Sequence, residues 1–159
     1  AFLYRGRCKK ALKDKSGAIA DFQKSLELNP DSANYYLKSG WTKVLVKDFK
    51  GAIADFDKAI SLKSNFTEAY TKRGETRSLM GEYSSAIKDF NQALVYDSNS
   101  ADTYRRRAYA NFKLRNYTQA MQDNETAKEL FQKQGDFEGY KSSVDSINTL
   151  REIMRKGGG

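Results

Sequence analysis

Apolar side chains recur along this chain at three- and four-residue intervals, in short runs broken by polar residues. Ile53, Phe56 and Ile60 form one such stripe, and Ile87, Phe90 and Leu94 form a second. Residues so spaced share one face of a helix, whereas a strand would alternate. Short polar turns stand at Lys13-Asp14-Lys15, Lys47-Asp48, Gly81-Glu82 and Arg115-Asn116. Helix-stopping and capping residues stand at Asn29-Pro30-Asp31, Lys63-Ser64-Asn65 and Asp97-Ser98-Asn99. The sole proline, Pro30, falls where a helix must end. The pattern predicts helices over 1–12, 16–28, 32–46, 50–62, 66–80, 84–96, 100–114 and 118–133, and a last one over 137–155.

The stripes are copies of one another. Gly6, Gly40 and Gly74 lie 34 residues apart, and Ala108 stands one period further along. An aromatic precedes each of them by three residues: Phe2, Tyr36, Tyr70 and Tyr104. Ala18, Ala52, Ala86 and Ala120 follow by twelve, and then come Phe22, Phe56 and Phe90, with Asn124 in a worn fourth copy. A fixed interval of this length means one supersecondary unit repeated down the chain. The small residues let helices approach closely, and the aromatics fill the space between pairs. Asp21, Asp55, Asp89 and Asp123 recur once per copy, so they belong to the scaffold, on expected outer helix faces, and do not converge on a catalytic point.

The copies divide the chain into units 1–32 (truncated at its start), 33–66, 67–100 and 101–133. In 134–156 the repeated phrase is gone, yet Tyr140, Val144, Ile147, Leu150 and Met154 keep helical spacing. This segment is expected to be a capping helix over the apolar face left open by the last pair. Gly157-Gly158-Gly159 reads as a flexible tail.

Charge and composition narrow the chemistry. The net charge is +8, and by segment it runs +3, +3, −1, +3 and 0, with no dense basic arm. That favours an acidic protein partner, or plain solubility, over a dedicated nucleic-acid tail. Cys8 is the only cysteine and histidine is absent. Intramolecular disulfides, cysteine/histidine zinc sites and histidine-based catalysis are thereby excluded, and no cofactor, metal or enzymatic activity is expected. Cys8 reads as a small packed residue. No apolar run approaches the roughly 18 residues that a membrane span needs. The expected location is cytoplasmic. Ala1 falls inside a predicted helix, so the chain reads as a piece of something longer.

This constellation resembles the tetratricopeptide repeat, a 34-residue unit with an aromatic, a glycine, Ala-x-x-x-Phe and a late proline. The resemblance spans residues 1–133. The Arg-Gly pair, the Gly-Ala-Ile-Ala-Asp-Phe phrase and the tail Leu130 to Gly135 ahead of Tyr140 look like tandem repeat proteins of bacteria, cyanobacteria among them. The implied fold is all-α: a right-handed superhelical solenoid of four helix pairs with a C-terminal capping helix. Two columns depart from the family. Its usual leucine is replaced by Arg5, Ser39, Arg73 and Arg107, and its second aromatic by Lys9, Lys43, Arg77 and Asn111.

The resemblance also implies a concave groove lined by the first helix of each pair. Carried over, the groove takes Leu3, Tyr4, Arg7, Lys10 and Ala11, then Asn34, Leu37, Lys38, Trp41, Val44 and Leu45. It continues with Glu68, Thr71, Lys72, Glu75, Ser78 and Leu79, then Asp102, Arg105, Arg106, Tyr109, Phe112 and Lys113. Cations outnumber acids there. The expected binding set is Arg7, Lys10, Lys38, Trp41, Lys72, Arg105, Arg106, Tyr109 and Lys113. Trp41 offers a large anchor, and the forks of Arg105 and Arg106 suit carboxylates. The implied role is a non-catalytic adaptor or assembly scaffold that holds an acidic peptide.

Chaperone-binding members clamp a C-terminal carboxylate with lysine, asparagine and arginine at fixed places. Here those places hold Leu3, Arg7, Lys38, Glu68 and Lys72, or Leu37, Trp41, Lys72, Asp102 and Arg106. Neither set matches, so no Hsp70/Hsp90 carboxylate clamp is expected. Blander alternatives stay open: Trp41 packed on a neighbouring helix, and cations that are simply solvated. Two other functions stay open as well. One is a basic surface for RNA or single-stranded nucleic acid, though no reading motif appears. The other is an array that self-associates through its ends.

Overall fold

The computed structural model describes residues 32–157. Among them seven helices follow in order: α1 (Ala33–Leu45), α2 (Phe49–Leu62), α3 (Thr67–Leu79), α4 (Tyr83–Tyr96), α5 (Ala101–Lys113), α6 (Tyr117–Gln134) and α7 (Phe137–Gly157). No strand occurs among the described residues. Each helix expected from residue 32 onward is present, with ends shifted by at most two residues. The helices expected over 1–12 and 16–28 lie outside the described residues, and with them Gly6, Arg7, Cys8, Lys10, Ala18, Asp21 and Phe22. The chain packs as two units, one ending at Thr76 and one beginning at Arg77.

Local chemistry sets the helix ends. Ser32 accepts a hydrogen bond from the Tyr35 N–H at 3.1 Å, and Asp48 accepts from the Gly51 N–H at 3.0 Å. Ser100 accepts from the Thr103 N–H, and Asp136 accepts from the Gly139 N–H at 2.9 Å. Each satisfies a backbone donor that the helix leaves open. The turns between paired helices place Lys47 (φ 64°), Gly81 (φ 81°) and Arg115 (φ 61°) in the left-handed region, and Gly135 (φ 72°) ends α6 in the same way.

In the first unit, α1 lies on α2 through Gly40 and Phe56. A Cβ built on Gly40 would come within 2.7 Å of Phe56 Cε1, so the bare backbone seats the ring. Phe56, Ala52 and Ala59 are fully buried, and they join Leu37, Phe66 and Ala69 in one cluster. In the second unit, Phe90 packs with Ala86 and Ala110, flanked by Tyr83 and Ile87. A second cluster joins Ala101, Ala127 and Phe131, with Tyr104, Leu130 and Tyr140 against it. The α7 helix packs on α6, with Ser143, Ile147 and Leu150 buried. Asn124, where other copies have phenylalanine, is also buried, and its amide donates to the Ala120 carbonyl at 2.9 Å.

The expectation for the repeated aspartates is corrected here. Asp89 is 2% exposed and Asp123 is 6% exposed; neither lies on an outer face. An unpaired carboxylate in such a place would cost several kcal/mol, and each of these is paired. Asp89 accepts from Arg77 Nη1 at 2.7 Å. Asp123 accepts from Arg107 Nη2 at 2.6 Å and Nε at 2.9 Å, and from Asn111 at 3.4 Å. Asp55, less deeply placed, accepts from the Ser39 hydroxyl at 2.6 Å and pairs with Lys43 at 2.7 Å. The donors come from the two columns that depart from the family. The departures and the aspartate are one polar device, rebuilt in each described copy with different donors.

Candidate functional site

The first helices α1, α3 and α5 carry the expected binding residues. In the first unit Lys38 and Trp41 lie one turn apart on α1, both half-buried. Leu37, also carried over as a groove residue, belongs to the core instead. No carboxylate among the described residues pairs with Lys38. On α3, Lys72 pairs with Glu75 of its own helix at 3.1 Å, so its charge is answered locally.

In the second unit, α5 divides into two faces. Ala101, Thr103, Ala108, Ala110 and Asn111 turn inward. Arg105, Tyr109 and Lys113 follow one another at four-residue steps, which places them along one stripe of the helix. Arg105 Nη2 donates to Asp102 at 2.7 Å, and both side chains are exposed. Arg106 is half-buried. Tyr109 is 52% exposed, a large apolar surface left open to solvent. Lys113 Nζ stands 5.3 Å from the centre of its ring. The Tyr83 ring of α4 meets Tyr109 edge-on, centroids 6.3 Å apart at 75°. Phe112 turns away toward Tyr117, with ring centres 5.9 Å apart.

Tyr83 escapes a reading confined to first helices, because it opens a second helix. A signal was present: Phe49, Tyr83 and Tyr117 also stand 34 residues apart. Arg107, beside the binding residues in sequence, is not one of them. It holds Asp123, donates to Asn91 at 2.6 Å and lies over the Tyr104 ring at 5.3 Å. The hydrogen bond to Asp123 raises its pKa above the ordinary guanidinium value, against an opposing pull from burial.

The chemistry available is recognition by charge and aromatic surface. Lys113 is a cation resting on a ring, with no carboxylate partner among the described residues, and Tyr109 is a platform braced by Tyr83. Among the described residues no cluster of carboxylates or cysteine could hold a metal ion. No helix among them is long and apolar enough to cross a membrane.

Comparison with known proteins places this architecture. Residues 1–32, 33–66 and 67–100 each match the model of the tetratricopeptide repeat. No curated protein matches the chain. Among solved structures, the crystal structure of MamA is similar at a TM-score of 0.65 and 20% identity, covering 96% of this chain and 96% of that one. The first repeat domain of Spaghetti (RPAP3), bound to the HSP90 peptide SRMEEVD, is similar at 0.70 and 19% identity, covering 78% and 94%. The TPR2B domain of yeast Sti1, in its pHsp70 complex, is similar at 0.71 and 18% identity, covering 76% and 96%. What is shared at such identities is the fold, an all-α solenoid of helix pairs. With that fold and three matched repeats over more than half its length, the chain belongs to the tetratricopeptide repeat family.

Proposed function

We propose that this chain is a non-catalytic protein-interaction scaffold that binds an acidic peptide segment along the faces of its first helices, as an adaptor or assembly factor. The observation that carries the proposal is the Tyr109–Lys113 pair. An exposed ring under a lysine with no carboxylate partner among the described residues offers apolar area and charge at one place. Peptide recognition draws on such anchors together with complementary charge. On α1 of the first unit, Lys38 and Trp41 stand one turn apart, both half-buried.

The solved relatives that hold HSP90 or Hsp70 peptides lend general support to a peptide partner. The residues here argue for a different peptide. A carboxylate clamp on this chain would put Leu37, Trp41, Lys72, Asp102 and Arg106 at its contact places, an acid and two apolar groups among them. We therefore expect no tight binding of those chaperone tails. The repeated aspartates support a scaffold over an enzyme, since Asp55, Asp89 and Asp123 are each engaged inside their own helix pair.

Fluorescence anisotropy with a labelled glutamate-rich peptide and its lysine-for-glutamate counterpart tests the proposal. The acidic peptide should bind, weaken as salt is added, and lose most of its affinity to the Trp41→Ala/Arg105→Ala/Arg106→Ala variant. Equal binding of the acidic and basic peptides, or an unaffected variant, would refute it.

A further inference from the structure

The strongest feature beyond general acidity is the spacing of Arg105, Tyr109 and Lys113 on α5. Building on acidic-peptide binding, we propose that this stripe reads an extended segment in alternate register: an acid, any residue, an apolar residue, any residue, and a second acid.

The register follows from two rises. Four helical residues advance about 6 Å along the axis, so Arg105 and Lys113 lie about 12 Å apart with Tyr109 midway. An extended chain advances about 3.3 Å per residue and turns every second side chain to the same side. Two peptide residues therefore match one step of the stripe. A carboxylate at Arg105, an apolar side chain on Tyr109 and a carboxylate at Lys113 then fall on one side of a single extended segment. A helical ligand would need its two acids eight residues apart to span the same distance of about 12 Å, and adjacent acids would not reach both ends. Two cations of the stripe, Arg105 and Lys113, stand with the single acid Asp102 on the same helix. That complementarity selects an acidic peptide.

The two ends of the stripe are unequal. Lys113 stands over the Tyr109 ring and has no carboxylate partner among the described residues, so a ligand acid there gains a new ion pair. Arg105 already holds Asp102, so a ligand acid at that end must share or displace it. Asp102 is thus an internal competitor that lowers affinity for acidic segments. The Tyr83 edge contact fixes the platform on which the apolar residue lands.

The test uses the whole chain and two labelled peptides of one composition, Gly-Glu-Ala-Leu-Ala-Glu-Gly and Gly-Glu-Glu-Ala-Ala-Leu-Gly, by fluorescence anisotropy. The alternating peptide should bind about fivefold more tightly than the rearranged one, which corresponds to about 1 kcal/mol. Tyr109→Ala should abolish that preference and Tyr109→Phe should keep it. Lys113→Ala should weaken the alternating peptide about fivefold, and Asp102→Asn should tighten it about threefold. All three positions are surface groups, and matching far-ultraviolet circular dichroism would confirm folding. Equal binding of both peptides by the wild type would overturn the register while leaving acidic-peptide recognition intact. Binding of neither would overturn both.

Discussion

Arg107 reaches from α5 to hold both carboxylate oxygens of Asp123 on α6, at 2.6 and 2.9 Å. Arg107 stands in the column where the tetratricopeptide repeat usually has leucine. Asp123 is nearly buried while Arg107 keeps 23% of its side chain exposed. Removing one partner leaves the other with an unanswered charge, and that loss exceeds the net contribution of the pair itself. Arg107→Ala should therefore destabilise the protein by about 2–4 kcal/mol, at the lower end because the guanidinium is partly hydrated. The Arg107→Leu/Asp123→Leu double variant should be less destabilised than either single change. Urea denaturation of the four proteins checks this.

The same pair has a defined pH behaviour. The pKa of Arg107 is raised by its hydrogen bond to Asp123. A raised folded-state pKa gives stability that is complete below the unfolded-state value and is lost only as pH climbs through the raised one. That window lies far into alkali. The Tm gap between wild type and Arg107→Ala should stay constant from neutral pH up to mildly alkaline conditions. A gap that closes across that range would contradict the assignment.

Gly40 and Phe56 form a second coupled position. A methyl group on Gly40 would run into the ring at 2.7 Å. Gly40→Ala should cost about 1–3 kcal/mol by overpacking, and Phe56→Ala about 3–5 kcal/mol through the cavity it leaves. The fourth copy has alanine and asparagine at these two places, Ala108 and Asn124, both buried. Gly40→Ala combined with Phe56→Leu should therefore fall short of the summed single costs in thermal melts.

Lys47 and Arg115 hold left-handed backbone at φ 64° and 61°, where the third copy has Gly81. A side chain there carries strain of about 1 kcal/mol that glycine relieves. Arg115→Gly should raise the urea midpoint, and Gly81→Val should lower it. The reverse order would show that the turn strain is absorbed elsewhere.

Much of the scaffold was legible in the sequence because its packing residues recur as identities. Gly40, Ala52, Phe56, Ala59 and their copies repeat the same shapes, and repetition exposes them. The polar pairs were illegible for the opposite reason. Ser39 and Lys43 answer Asp55, Arg77 answers Asp89, and Arg107 with Asn111 answers Asp123. The function is kept while the donor type and position change, so no single column announces it. The clue lay in two departures from the family set beside an unchanging aspartate. In the candidate site the sequence gives Tyr109 and Lys113 by position on a first helix. The contribution of Tyr83 needed the packing of α4 beside α5. The sequence favours the forks of Arg105 and Arg106, whereas Asp102 already answers Arg105, as Glu75 answers Lys72.

Whether a peptide lies on the first helices is tested most directly by amide chemical-shift mapping. The isotopically labelled chain would be titrated with Gly-Glu-Ala-Leu-Ala-Glu-Gly. The expected shifts concentrate on α5 around Arg105, Tyr109 and Lys113, with α4 and α6 largely still beyond the Tyr83 contact. Shifts centred on the second helices, or no shifts at saturating peptide, would contradict recognition by this face.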